Sequence, residues 1–364
     1  FRSQASARPA FALLPRPRAC RKAPSQHEAA ISSEHTPHMP SSTSSPVSSP
    51  LAGKLVTVFG GTGYIGNYVA QALLSRGARL RLASRAPSKA QSLKPLANLG
   101  QLQLMPCDVT NEAHVAAALD GADYVVNLVG AFAGDLIKLT GEAPGTIARL
   151  AAERGVTALV QISAIGADAA SSTAYARGKA LGEANARAGF PQSTILRPSI
   201  MFGQDDQFIN LFAGMIELFP VLPVFGPEAK LQLVHAEDVA EAVARALEHP
   251  ELHGGKTFEL GGPEQLTMLE IHRRIAAAQG RKRSFLAMPD GVSATFAALP
   301  LTPMSRDQWT LLKPGSTVAP DAIGLADMGI EAKPLGLFLD KWMLRYRKHG
   351  RFGAANERAK LHKG

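Results

Sequence analysis

Two sets of residues in this sequence have the types and spacing to do chemistry. The first is Val56-Thr57-Val58-Phe59-Gly60-Gly61-Thr62-Gly63-Tyr64-Ile65-Gly66, an apolar β-prone run that breaks into glycines spaced G-x-x-G-x-x-G. At such a turn Gly60 ends a strand tightly, Gly63 lets the backbone approach a pyrophosphate, and Gly66 lets the next helix pack close to the sheet. Thr62, Tyr64 and Ile65 lie between these glycines, where the free N–H groups and positive end of the helix would meet phosphate. The second set is Ser163 followed by Tyr175-Ala176-Arg177-Gly178-Lys179. On a helix the i, i+4 spacing puts Tyr175 and Lys179 on one face. A nearby ammonium favours the phenolate, so the tyrosine is expected to titrate below its usual range near 10. With Ser163 orienting an oxygen, the trio would move a proton on a carbonyl or alcohol while a nicotinamide exchanges hydride. The bland reading of the pair is a surface tyrosine beside a solvated lysine.

The elements needed to position both sets are present in the pattern. Ile65, Val69 and Leu73 give one apolar face to a helix after the glycine turn. Strand-like runs follow at Arg79–Ala83, Gln101–Pro106, Tyr124–Val129 and Ala158–Ser163, with helical stretches at Ser88–Ala97, Glu112–Leu119 and Gly145–Arg154. This alternation predicts an α/β fold: a Rossmann-type doubly wound parallel sheet with a smaller C-terminal α/β lobe. The expected division is a disordered tail at 1–52 and a dinucleotide-binding domain at 53–198. A mixed region at 199–340, with 231–262 returning to the sheet, and a basic tail at 341–364 complete it.

The choice of dinucleotide follows from an absence. NAD sites of this kind place an acid about 20 residues after the glycines to hold the ribose 2′-hydroxyl. From Leu51 to Cys107 there is no Asp or Glu. Ser84 and Arg85 instead follow the second strand, with Lys89 one turn on, and a guanidinium there suits a 2′-phosphate. NADP(H) is therefore preferred, although NAD(H) would also fit the turn; the alternative is that these are solvated surface cations. Asp108 and Val109 after the third strand could reach the adenine side, and Gly130 after the fourth could admit the nicotinamide half.

Composition narrows the remaining classes. The net charge of +9 divides unevenly: residues 1–50 hold six Lys and Arg against two acids, and residues 341–364 hold eight against one. The body between them is slightly acidic, so no basic stripe for nucleic acid is expected. Cys20 and Cys107 are the only cysteines, which implies no disulfide framework. His235, His253 and His272 lack metal-ligand spacing, and no metal site is expected. The first tail, with Arg2, Arg8, Arg16, Arg18, Arg21 and Lys22 ahead of Glu28, suits a mitochondrial transit peptide unless translation starts at Met39. In the second tail, Lys341 to Lys348 interleave Trp342, Met343, Leu344 and Tyr346 with cations, as for a helix lying on anionic lipid or an acidic partner, the bland reading being a solvated tail.

With these residues in place, the chain resembles the extended and atypical branch of the short-chain dehydrogenase/reductase superfamily. The likeness continues through Thr194-Ile195-Leu196-Arg197-Pro198, Val234 to Ala240, and Glu259-Leu260-Gly261-Gly262-Pro263. Three stretches, Gln161 to Glu183, Ile195 to Phe212 and Arg306 to Val318, are more closely similar to the NAD(P)H-binding accessory subunits of respiratory complex I and their bacterial relatives. That resemblance spans about residues 54–348. It implies a tightly held NADPH, a mainly structural role, complex I subunits as partners, and the matrix side of the mitochondrial inner membrane. If the first tail is no transit peptide, the cytoplasm or the cytoplasmic face of a bacterial inner membrane is the alternative. Two departures from active superfamily members stand out: the fourth strand ends Asn127-Leu128-Val129-Gly130, and the interval from Ser163 to Tyr175 is short. The competing expectation is an active NADP-dependent reductase, dehydratase or epimerase that uses Tyr175 and Lys179 on a carbonyl or sugar-nucleotide-like substrate.

Overall fold

The strands between the glycine turn and the Tyr175 helix belong to one parallel sheet. A computed structural model describes residues 49–298 and 306–348; the first tail up to residue 48 and the second tail beyond residue 348 lie outside the described residues. Six strands follow in chain order: β1 (Leu55–Phe59), β2 (Arg79–Ser84), β3 (Leu102–Pro106), β4 (Tyr124–Asn127), β5 (Ala158–Ile162) and β6 (Thr194–Pro198). With the later strand Thr257–Leu260 they form a seven-stranded sheet ordered Thr257–Leu260, β6, β5, β4, β1, β2, β3. Every pairing is parallel, with Val58 opposite Leu82 on one side and Val126 on the other. The order reverses beside β1, and ligands of open α/β sheets bind outside the carboxyl ends of the strands at such a reversal.

The helices packed on the sheet include α1 (Tyr64–Leu74), α2 (Glu112–Ala118), α3 (Ala143–Glu153), α4 (Ala174–Gly189) and α6 (Ala236–Glu248), while α5 (Phe208–Leu218) belongs to the smaller lobe. On one face of the sheet Ile65, Val69 and Leu73 pack with Val239, Val243 and Leu247 of α6. On the other, Val115, Ile147 and Phe190 cover Phe59, Val125 and Leu159. Alternation of side chains along β1 sends Val56 and Val58 to the first layer and Phe59 to the second. A third core belongs to the smaller lobe, where α5 and helix Met268–Ala278 enclose Ile216, Leu222, Val224 and Ile275. Strands Val221–Phe225 and Ser284–Met288 pair in parallel at its edge.

The fold departs from the expected elements in four places. It starts a few residues early: Leu51 is fully buried, and Ser49 Oγ donates to Glu248 Oε1 at 2.6 Å. Residues Pro87–Leu96 form 3₁₀ turns rather than an α-helix, because Pro95 lies inside the segment and no side chain caps its start. β4 stops at Asn127, two residues short, because Asn127 Oδ1 accepts the Val129 N–H and turns the chain away. Finally, the apolar half of the Lys341–Lys348 pattern faces inward. Met343 is buried, and Trp342 and Tyr346 pack against the small-lobe core, where covering aliphatic surface outweighs solvent or lipid exposure. No helix among the described residues is long and apolar enough to cross a membrane.

Candidate functional site

The three glycines of the turn face three different environments. Gly60 has φ +74°, a left-handed conformation, and a Cβ there would lie 3.1 Å from the Val129 amide nitrogen, so the chain leaving β4 passes directly over it. A Cβ on Gly66 would fall deep inside contact with the Gly61 carbonyl oxygen, so α1 is pressed onto the turn. Gly63 differs from both, because a Cβ there would meet only the Gly60 oxygen, at 3.4 Å. It caps the start of α1 with no side-chain hydrogen bond, and the first turn contains no acid. The positive end of α1 is therefore bare on its open side, as an anion-binding helix start requires.

At the carboxyl end of β2, Ser84 Oγ is buried with no hydrogen-bond partner among the described residues. Arg85 and Lys89, just beyond it, are exposed. Asp108 lies close enough to Arg85 to feel its charge, but its carboxyl is held below the usual range chiefly by hydrogen bonds from the Thr110 N–H and hydroxyl. Val109 packs largely into the core with Val115 and Leu119.

The chemistry set lies beyond β5 and on α4. Thr173 Oγ1 accepts the Ala176 N–H and so starts α4 just ahead of Tyr175. Gly178 and Gly182 let this helix press against Thr140 of the π-helical turn Ile137–Glu142, where any side chain would collide with it. Lys179, 5% exposed, donates from Nζ to the Ile162 carbonyl at 3.2 Å. Burial pushes its pKa down from 10.5 to about 8, partly opposed by Glu183. A Cβ on Gly130 would sit 3.8 Å from the same Nζ, placing the chain after β4 against the lysine. Ser163 is 3% exposed, and its Oγ has no hydrogen-bond partner among the described residues. Tyr175 stacks on Phe132 with ring centroids 4.9 Å apart and planes 10° from parallel.

One electrostatic expectation is reversed. Tyr175 is pushed up from 10.0 to about 12, with burial as the cause. The Lys179 ammonium does not offset this, because it is directed at a backbone carbonyl and is itself driven toward neutrality. Near neutral pH the phenol is therefore protonated.

Several supporting residues were not singled out from the sequence. Asn127 Nδ2 donates to Gln161 Oε1 at 2.8 Å, joining β4 to β5 beneath the loop that carries Gly130. Arg197 makes a bidentate pair with Glu183 at 2.8 and 2.7 Å and reaches Glu259 at 3.4 Å, tying α4 to β6 and the last sheet strand. Asn127 and Gln161, polar residues in otherwise apolar strands, were the available signal for the first link. Phe132 gave no signal, since it belongs to no periodic pattern.

Residues 56–261 match the family described as NAD dependent epimerase/dehydratase. The chain is 29% identical over 315 residues to NADH dehydrogenase [ubiquinone] 1 alpha subcomplex subunit 9, mitochondrial, of Rattus norvegicus, covering 83% of this chain and 82% of that one. It is 28% identical over 322 residues to the Arabidopsis thaliana protein of the same name, covering 83% and 80%. Among solved structures, NADPH-dependent quinone oxidoreductase of Escherichia coli, complexed with NADPH, superposes with a TM-score of 0.64 at 20% identity, over 79% of this chain and 99% of that one. Sheet order, glycine turn and family match agree: the chain belongs to the NAD dependent epimerase/dehydratase family.

Proposed function

We propose that this protein holds NADP(H) as an accessory subunit of respiratory complex I, on the matrix side of the mitochondrial inner membrane, with the cofactor serving mainly to brace the fold. The observation that carries this reading is the similarity to the rat mitochondrial subunit, which covers 83% of this chain and so extends well beyond the dinucleotide turn. The residues fit the cofactor. Gly63 and the N–H groups of Tyr64 and Ile65 would take the pyrophosphate, while the unpartnered Ser84 Oγ with Arg85 and Lys89 would take a 2′-phosphate. Ser163, Tyr175, Lys179 and Gly130 would line the nicotinamide end, where the bound group supplies hydride chemistry. The high Tyr175 pKa favours holding over turnover. Lys341, Lys348 and the tail beyond remain candidates for an anionic lipid surface. Native purification from mitochondrial membranes is expected to carry the chain with the large respiratory assembly and to release NADPH on denaturation. Migration of the chain alone would overturn the assembly role, and absence of dinucleotide would overturn the cofactor role.

Arg85→Ala is expected to weaken NADPH by about 1–3 kcal/mol, the range for losing a charge-assisted hydrogen bond, and to leave NADH nearly unchanged. Isothermal titration with both cofactors checks this; equal losses would show that Arg85 does not read the 2′-phosphate.

A second reading, an NADP-dependent reductase, dehydratase or epimerase, is favoured by the buried Ser163 Oγ, without a partner among the described residues, just beyond the strand that precedes the Tyr175–Lys179 helix. Its Tyr175 would act as the proton donor to a carbonyl oxygen. Under this reading Tyr175→Phe removes at least 99% of any NADPH-linked turnover, at the scale of lost acid catalysis. A rate unchanged by that substitution would eliminate it.

A further inference from the structure

The tip of the loop leaving β4, residues 130–134, has Phe132 as its one bulky side chain. Phe132 is flanked by Gly130 and Ala131 on one side and by Ala133 and Gly134 on the other, and Gly134 has φ +86°. Although 71% exposed, the Phe132 ring lies flat on Tyr175, while Gly130 of the same loop lies against Lys179. The loop thus folds over both members of the Tyr–Lys pair, and one aromatic contact fastens its tip. Small residues on either side leave the backbone free to swing, so opening requires little beyond peeling one ring from another.

We propose that Phe132 is a positioning residue that closes this loop over the nicotinamide end of the dinucleotide site and slows release of the bound cofactor. The inference rests on the dinucleotide reading above, and it assigns the retention to a stacked ring rather than to phosphate contacts alone. Its partner is the ring of Tyr175, not the hydroxyl, which would explain how a catalytic-type tyrosine can serve a protein that holds its cofactor. Within residues 130–134 no other side chain can replace Phe132, because only alanine and glycine stand beside it.

The test is NADPH release from the loaded full-length protein, followed by nucleotide fluorescence after a chase with excess NADP⁺. Phe132→Ala is expected to release NADPH about tenfold faster, the upper part of the range for an aromatic pair, and Phe132→Tyr to restore slow release. In a Tyr175→Ala background, where the stack is already gone, Phe132→Ala should change the rate less than twofold. Unchanged release in Phe132→Ala, or the same tenfold effect in the Tyr175→Ala background, overturns the proposal. If the unmodified protein takes up no NADPH in an equilibrium titration, the dinucleotide reading falls and this inference with it. If it binds NADPH and only the release pattern fails, the loss is confined to the role of Phe132.

Discussion

Gly66→Ala should lower the stability of this protein by about 3 kcal/mol and abolish dinucleotide binding, whereas Gly63→Ala should spare the fold and lose the ligand. The two glycines share a motif but not an environment. At Gly66 the new methyl would collide with the Gly61 carbonyl oxygen and with Gly61 Cα at 2.8 Å, and a backbone cannot rotate away as a side chain can. α1 would have to lift from the turn, pulling Ile65, Val69 and Leu73 out of a core in which Val69 and Leu73 are fully buried. Overpacking usually costs about 1–3 kcal/mol, and a backbone collision belongs at the upper end. At Gly63 the backbone is extended, with φ −81° and ψ 179°, and the added methyl makes only an ordinary contact. Replacing glycine where the conformation suits alanine can even stabilise slightly, by about 0.4–1 kcal/mol, through the unfolded chain. The methyl would nevertheless occupy the open side of the α1 start, where the phosphates are expected. Urea unfolding and NADPH titration of both variants decide the matter. Equal destabilisation by the two substitutions, or undiminished NADPH binding by Gly63→Ala, would contradict this division of roles.

The glycine turn was legible because its determinants are local: three residues, a strand before and an amphipathic helix after. The helical placement of Tyr175 and Lys179 was legible for the same reason, since a four-residue spacing fixes a shared face wherever the helix lies. What a shared face does not fix is depth. Lys179 is nearly solvent-free because Gly178 and Gly182 let α4 sink against the Ile137–Glu142 turn, and that contact pairs segments far apart in the chain. Once the lysine is buried, the sign of the Tyr175 shift follows from solvation rather than from the neighbouring charge. Arg197 was visible only as part of a strand motif; its two carboxylate partners come from α4 and the last sheet strand. The inward turn of Trp342 and Met343 was hidden similarly. Alternating apolar and cationic residues describe a two-faced helix equally well on a membrane or on a protein core, and here the small lobe supplies the core with Phe202 and Phe338.

These depths also separate stability from function along α4. In the Glu183–Arg197–Glu259 cluster each charged group has an oppositely charged partner. Lys179, one turn earlier, has only the Ile162 carbonyl as a hydrogen-bond partner among the described residues. A buried cation with one neutral partner destabilises the fold unless a ligand supplies the rest. A dinucleotide site that must contact Lys179 therefore leaves the unliganded protein weaker than its packing alone would make it.

Lys179→Met is accordingly expected to stabilise the cofactor-free protein by about 2 kcal/mol at pH 7 while reducing its NADPH affinity at least tenfold. The gap between about 8 in the folded protein and 10.5 outside it corresponds to about 3 kcal/mol of preference for the neutral amine. Methionine fills a similar volume without charge. The Ile162 carbonyl is not orphaned by the change, because Gln161 Nε2 also donates to it at 2.9 Å. The sign of the pH dependence follows from linkage. Below about 8 the lysine is protonated in both folded and unfolded chains, and the whole penalty is present. Between about 8 and 10.5 the unfolded chain holds more protons than the folded one, so wild-type stability rises with pH; above 10.5 the penalty has vanished. The advantage of Lys179→Met over wild type should therefore be largest at neutral pH and shrink across that window, while other titrating groups cancel in the difference. Urea midpoints of the two proteins at pH 7 and pH 10 provide the measurement. A less stable variant at pH 7, or a difference that stays constant with pH, would show that Lys179 is already compensated in the cofactor-free fold and that ligand binding has no buried charge to relieve.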